Sequence, residues 1–458
     1  MSCQPLRAVG DPVRPRQLSV CSLFLTSFLT CLICLSSALS SALSPARAAE
    51  AALESGPTAI EPAAPAPLPL SIDEAVRRAR EASALVRRAR AESQLTLARR
   101  VGAAIVLPSN PVVAFAAGPR RDESPGAATR SGLGYTLHVE QAVEIGGQRG
   151  ARLEEVDRAV DAAQARERLA GIEASAQARA VYVNALLGTA LVQSTTEREA
   201  LASRLEESVR ARVDAGAASE IEQRLAEVER GRMHRERVDA ERFAAETAAE
   251  LTALLLLPPE TVTVLTTPLA APPVKLPPVR QAIELALARR ADLAALAASA
   301  LEIDAQIVRL RREALPTPAL FVDVERDLPG QIFAGGGVAI ALPVWRRNQG
   351  ALAVARADRA RFDDERGLIA RQVALEVDRA HRGVRARHEQ VRIQENEVLP
   401  AAERARDLLT QGWQAGKFDL FRVIQASREA GEARRHQIEA LGHLWQATIE
   451  FDRATGTP

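Results

Sequence analysis

Six histidines, His138, His234, His381, His388, His436 and His443, are the side chains best suited to chemistry in this 458-residue chain. Imidazole binds transition metals and moves protons near neutral pH. His381 and His388, like His436 and His443, are seven residues apart. On a helix that spacing spans about 10.5 Å, too far for two rings to share one ion. Met233 is the only methionine after Met1, and the four cysteines, Cys3, Cys21, Cys31 and Cys34, all lie near the start. Soft ligands are nearly absent, and no acid, base and nucleophile recur in a catalytic pattern. The glycines of "IGGQRG" (145–150) lack the Lys-Ser/Thr partner of a phosphate loop. No catalytic residue, metal site or cofactor is expected, and the reading is of a non-enzyme.

The remaining charges describe surfaces. Charged residues make up 26% of the chain with a net charge of +1, so arginine-rich stretches are balanced by acids and no nucleic-acid partner is implied. Hydrophobic residues reach 47% but aromatics only 3%. Packing must come from Ala, Leu and Val, which suits helix on helix.

Residues 1–48 read as a secretory signal. Arg7, Arg14 and Arg16 precede the uncharged run 18–43, and "ARA" (46–48) supplies a small-x-small box with cleavage after Ala48. The rival is a retained anchor, since the run is long enough to span a bilayer. Val20, Thr30 and Ile33 precede the later cysteines, where a lipoprotein signal needs a small residue. Removing 1–48 takes four of 59 basic residues and one of 58 acidic ones, leaving a net charge of about −2. Residues 49–69 read as a Pro/Ala-rich tether.

The rest repeats. "LSIDEAVRRARE" (70–81) resembles "LPPVRQAIELALAR" (276–289), "IVLPSNPVVAF" (105–115) resembles "EALPTPALFV" (313–322), and "VDAGAASEIEQRLAEVE" (213–229) resembles "WQAGKFDLFRVIQASRE" (413–429). A unit of about 200 residues is too long for a solenoid repeat and reads as a duplicated half. The first half is 70–257, a Pro-rich connector follows at 258–278, and the second half is 279–455.

Each half has one grammar. A helix is expected over 72–104, and its counterpart carries Ile283, Leu287, Ala294, Ala298, Leu301, Ala305 and Val308 as one stripe. Prolines end both helices. β-hairpins are expected over 112–143, with a polar loop at 119–131, and over 319–344. In the strands Thr136, His138, Glu140, Asp323 and Glu325 alternate with apolar residues and form a polar face. Phe115, Tyr135, Phe321, Phe333 and Trp345 lie in or beside the strands and suit interfacial girdles, with ordinary packing as the alternative. Each hairpin turns abruptly into a helix of roughly sixty-five residues, about 100 Å long, with no strong breaker expected before 411. The joints are "EIGGQRG", with Gly146, Gly147 and Gly150, and "RRNQG", with Arg347, Asn348, Gln349 and Gly350; Gly150 is equated with Gly350. The helices turn back near 212–220 and 412–419, where Gly216 and Gly416 supply turn conformations.

Four strands cannot close a barrel or hide their edges. Strands of 7 to 12 residues with one apolar face can cross a bilayer at a tilt. Three copies would supply about twelve strands, and the polar helices would extend into water.

At this point the chain resembles the TolC-like outer-membrane efflux proteins, with "LPVWRRNQGALAVARAD" and "VEIGGQRGARLEEVDRA" most similar to the cation-efflux (CzcC and CusC type) branch. The likeness covers about residues 70–455. It implies a mainly α fold, with long antiparallel helical hairpins forming a periplasmic α-barrel. It also implies a homotrimer whose two hairpins per chain build a 12-stranded outer-membrane β-barrel. The implied partners are a periplasmic adaptor and an inner-membrane proton-driven pump of the RND type. The implied function is a passive exit duct for heavy-metal cations, with drug efflux or type I secretion as the runner-up. Carried over residue by residue, Val213, Asp214, Gly216 and Ser219, with Trp413, Gly416, Lys417 and Asp419, match the family's adaptor-contacting tips. Asp214, Glu220 and Asp419 would line a closed aperture as acidic rings, or serve simply as caps and solvated turn residues. The polar strand face would line the lumen, and an unselective water-filled wall is the preferred reading of it. Many relatives carry an acylated cysteine that this chain lacks. The rival of another class is a periplasmic coiled-coil scaffold, which leaves the two hairpins unexplained.

Overall fold

A computed structural model of the chain describes residues 67–122, 130–327 and 332–457. The signal, most of the tether, the rest of the first hairpin loop and the turn at 328–331 lie outside the described residues. The described residues open with β1 (Leu68–Leu70), α1 (Ile72–Ala82) and α2 (Ala84–Ala103). Next come β2 (Val112–Asp122), β3 (Arg130–Ala142) and two helices, α3 (Gln148–Asp214) and α4 (Glu220–Leu254). β4 (Thr263–Leu265) leads to the second half: α5 (Val279–Arg289), α6 (Ala291–Glu313), β5 (Pro318–Arg326), β6 (Ile332–Ile340) and α7 (Gln349–Ile393). A five-residue π-helical segment (Gln394–Val398) joins α7 to α8 (Leu399–Gln414), and α9 (Leu420–Thr455) closes the chain. The same element order thus runs twice.

Local chemistry explains most boundaries. Ser71 and Ser83 cap α1 and α2, their hydroxyls accepting from the N–H of Glu74 and Val86. The helix expected over 72–104 is therefore two helices. Its counterpart breaks at Arg290, whose guanidinium holds Asp292 at 2.6 Å and also pairs with Glu376. Both helices of each pair lie against one long helix, but the expected stripe is not the buried face: Leu287, Ala294, Leu301 and Val308 are exposed, while Ala282, Ala286, Leu293, Ala300, Ile307 and Leu310 are buried.

The third departure is Pro400, which was not counted as a breaker. A proline inside a helix lacks the N–H that would bond four residues back, and its ring collides with that carbonyl. The π-helical segment sits immediately before it, widening the turn, and the Gln394 amide donates to the Ala433 carbonyl at 2.7 Å.

The connector does more than tether. β4 pairs in parallel with β1, which was expected to lie mostly in the tether. Tyr182, fully buried, donates its hydroxyl to the Leu70 carbonyl at 2.8 Å and accepts the Thr267 N–H at 3.3 Å. Around it Leu70, Ala75, Ala79, Ala178, Leu186 and Leu251 form the core of the first half. Val373, Val377, Val384, Leu441, Leu444 and Phe451 form the core of the second. Leu269 of the connector packs against both cores.

The four long strands form one antiparallel sheet in the order β2-β3-β5-β6. β3 pairs with β5, so the two hairpins are continuous, while β2 and β6 are edges. β2 runs to Asp122, past the expected loop start, and β6 stops at Ile340 rather than 344.

Replacing Tyr182 by Phe should leave the Thr267 N–H without its partner while Leu70 keeps its bond from Thr266. A loss of about 1–2 kcal/mol is expected, read as a lower melting temperature of the purified protein with its secondary structure retained.

Candidate functional site: a two-faced sheet, its joints and the helical tips

The strand register sorts the sheet into two faces. On one, Val113, Phe115, Tyr135, Leu137, Val139, Leu320, Val322, Val324 and Val338 stand side by side. Several of them, such as Phe115 at 68% and Val322 at 56%, are exposed. Among the described residues no element covers this apolar face. The other face carries Thr136, His138, Glu140, Asp323 and Glu325 in register.

Three of these come together. His138 Nδ1 lies 2.7 Å from Asp323 Oδ1, and Nε2 lies 3.3 Å from Glu140 Oε2, so one ring bridges two carboxylates from adjacent strands. Phe321 leans on the same ring at 5.8 Å. Glu325 pairs instead with Arg120 at 3.4 Å, which also reaches Asp327 at 3.3 Å. Arg120 was assigned to a loop, yet the alternation Ala114, Ala116, Gly118, Arg120 carries it onto this face. Phe321 and Phe333 lie on this face too, over Gly337 and Gly335, where an added Cβ would sit 2.6 Å from the ring. Those two rings fill glycine gaps and do not belong to an interfacial girdle on the apolar face. Among the described residues no group of three or more His, Cys, Asp or Glu is placed to hold a metal ion.

At the joints the sheet becomes helix by one device used twice. Gly147 (φ 77°) and Asn348 (φ 56°) take the left-handed conformation just before α3 and α7. The next residue folds back: the Gln148 side-chain oxygen accepts the Gly146 N–H at 2.8 Å, and that of Gln349 accepts the Arg347 N–H at 2.7 Å. Gln148 was not singled out from the sequence. The pairing sets the offset at 201, so Gly150 corresponds to Ala351, not to Gly350. Neither Gly150 nor Gly350 has a neighbour that a Cβ would meet. The joints are tied down by Arg149 donating to the Ala104 carbonyl and Asn348 donating to the Leu310 carbonyl, both at 3.0 Å. These carbonyls belong to the C-terminal ends of α2 and α6, left open by the helix ladder.

The two tips also match. Gly216 (φ 69°) and Gly416 (φ 72°) end α3 and α8 in the same motif, with Gly216 N–H to Val213 and Ala217 N–H to Arg212, repeated as Gly416 to Trp413 and Lys417 to Gly412. Ser219 caps α4 in a capping box with Glu222, and Asp419 caps α9 by accepting the Arg422 N–H at 2.9 Å. The structure brings the tips together: Val209, Ala226, Trp413, Leu420, Val423 and Ile424 form one buried cluster against Val213. Arg212 stacks 4.9 Å over the Trp413 ring and donates to its carbonyl. Farther in, buried Glu229 joins the hairpins, holding Arg428 at 2.8 Å and Arg232 at 3.1 Å. Asp419 serves as a cap, Glu220 pairs with Arg224 at 3.5 Å, and Asp214 and Lys417 are exposed.

No family model matches the chain. Over 343 residues it is 28% identical to the cobalt-zinc-cadmium resistance protein CzcC of Cupriavidus metallidurans, spanning 70% of this chain and 77% of that protein. Its fold matches the solved structure of CusC with a TM-score of 0.66 at 16% identity, covering 84% of this chain and 92% of that one. The outer membrane protein VceC of Vibrio cholerae matches at 0.64 and 16%, covering 84% and 96%. The MtrE outer membrane channel of Neisseria gonorrhoeae, solved in its open state, matches at 0.66 and 16%, covering 84% and 88%.

Trp413→Ala should empty the shared tip cluster at a cost of about 3–5 kcal/mol. Hydrogen exchange should then quicken at both tips, 205–228 and 409–426, and stay unchanged in the two main cores. Glu199, held between His234 at 2.9 Å and Arg237 at 2.5 Å, has its carboxyl pKa pushed below the ordinary 4.5 first by the His234 hydrogen bond and then by Arg237. Its stabilisation is present above pH 4.5 and is lost as pH falls through the depressed value. The melting temperature of Glu199→Gln should therefore lie below wild type at pH 7 and converge with it in acid.

Proposed function

We propose that the chain is one of the TolC-like outer-membrane efflux proteins, on the side of CzcC and CusC, and that it is a passive outer-membrane exit duct with its helices in the periplasm. The observation that carries the reading is the sheet: one face apolar and uncovered, the other charged, with long water-soluble helices attached at one end only. No helix among the described residues is long and apolar enough to cross a membrane. Strands β2 and β6 leave open edges that cannot stay unpaired in lipid. Three copies joined edge to edge would make a closed barrel of about twelve strands, with the His138 and Glu325 face lining its water.

The same trimer accounts for the helices. Ile221, Leu225 and Val228 form an exposed stripe on α4, and Phe421 with Leu409 borders a groove between α8 and α9. Those surfaces suit neighbouring copies and, at the tips, a periplasmic adaptor that connects the duct to an inner-membrane pump. Transport in this reading needs no catalytic group. The duct supplies a continuous wetted path, and the pump supplies direction.

Heavy-metal cations are the favoured cargo, on the likeness to CzcC and the acidic strand face. Among the described residues no metal-holding group exists, which favours a wall that selects little and keeps drugs as the second reading. The discriminating experiment deletes the gene and restores it on a plasmid. Loss of growth on cobalt, zinc or cadmium with drug tolerance unchanged is the expected result; intact metal tolerance with new drug sensitivity would overturn the cargo assignment. Recovery of the protein in the soluble fraction without detergent would overturn the channel itself.

A further inference from the structure

β2 and β6 are the open edges of the sheet, and the internal duplication specifies how they meet. Pro111 and Pro318 hold matching places in the repeated motif, so Phe115 corresponds to Val322. Phe115 pairs with Leu137 and Val322 with Gly336, which makes Leu137 the counterpart of Gly336 and Val139 that of Val338. Inside the chain, Val139 of β3 pairs with Val322 of β5. The same contact repeated between copies sets Val338 of one opposite Phe115 of the next. All nine residues of β6 then fall against the eleven of β2, with Ile340 opposite Val113 and Gly335 opposite Gly118.

The backbone supports this register. The Val143 N–H donates to the Pro318 carbonyl at 2.8 Å in continuation of the β3–β5 ladder, so the apolar-face residues form the hydrogen-bonded pairs of that ladder. Alternation across each strand turns the N–H and C=O groups of Val113, Phe115 and Ala117 on β2, and of Gly336, Val338 and Ile340 on β6, outward to the open edges. When every copy enters the membrane the same way, β6 and β2 run antiparallel, whereas two like edges would run parallel. Pro119 accepts without donating, which leaves about nine bonds in the seam. Side chains fit as well: Ala339 meets Ala114, Gly337 meets Ala116 and Gly335 meets Gly118, leaving room for the Phe321 and Phe333 rings that lie on Gly337 and Gly335. We propose that β6 of one copy pairs with β2 of the next in this register, a seam of glycine and alanine that separates each His138–Asp323 track from the next around the duct. The inference rests on the outer-membrane reading.

The test places A114C and A339C in separately tagged chains, coexpresses them and oxidises outer-membrane preparations with copper phenanthroline. Within one chain β2 and β6 are separated by β3 and β5, so only a contact between copies can join these positions. The pair is directly opposed and non-hydrogen-bonded, about 4.5 Å between Cα atoms and within reach of a disulfide. A dimer carrying both tags, reversed by dithiothreitol, is expected on denaturing gels, and chains bearing both substitutions should link into trimers. V338C with F115C, in register on the other face, should link as well and carries the test if an alanine variant fails to insert. A116C with A339C, two residues out of register, should link several-fold less. Stronger linking by that pair, or inserted trimers in which neither in-register pair links, overturns the register while the channel reading stands. Homodimers of A114C alone replace the seam with like-edge pairing. A wild-type protein that stays soluble, or runs as a monomer in native electrophoresis, overturns both readings.

Discussion

The fold turns on the point where a chain of period two must become a chain of period 3.6. A strand ends with carbonyls and N–H groups aimed sideways, a helix begins with N–H groups aimed along its axis, and the groups between need partners. Here one residue in the left-handed conformation changes the direction, and the glutamine after it supplies the missing acceptor from its own side chain. Arg149 and Asn348 then tie each joint to the end of the helix that led into the hairpin. Because both joints are fastened in this way, the four strands form one sheet beside the helices, with one apolar face and one charged face.

The two halves solve the same problem with different residues. Glycine takes the left-handed position at 147 at little cost, while Asn348 is among the few side-chain-bearing residues suited to it. The offset is 201 at the joints and 200 at the tips, so one residue is lost between them. The second long helix also carries Pro400 and a π-helical turn, and its stretch from Val398 to Leu409 is less buried than the matching part of α3. The halves meet at the connector, where Leu269 belongs to both cores, and at the tips, where Trp413 of one half sits in the cluster of Val209 and Ala226 from the other.

Much of the site was legible residue by residue. Alternation assigned Thr136, His138, Glu140, Asp323 and Glu325 to one face because neighbouring side chains on a strand must point oppositely. It missed Arg120 because "GPRRDESPG" reads as a loop by composition, and only pairing with β3 extends the strand through it. It also could not say that His138 sits between two carboxylates, since Asp323 is 185 residues away and its register is set by β3 joining β5. The tip glycines were readable, since a Schellman end is local, whereas the packing of one tip on the other is not.

By itself, the sequence determined the local elements: the strand alternation, the glycine turns, the long helices and their alanine-rich packing faces, each set within a few residues by steric and hydrogen-bonding rules. Tertiary structure decided what depends on distant partners. It paired Arg290 with Glu376 at the break in the second entry helix, made a strand of Leu68–Leu70, tied the joints to the Ala104 and Leu310 carbonyls, and brought the two tips into one core. The physical reason is range: a cap or a turn is satisfied by neighbours in the chain, but a register, a shared core or a buried ion pair is chosen among segments that only the fold brings together.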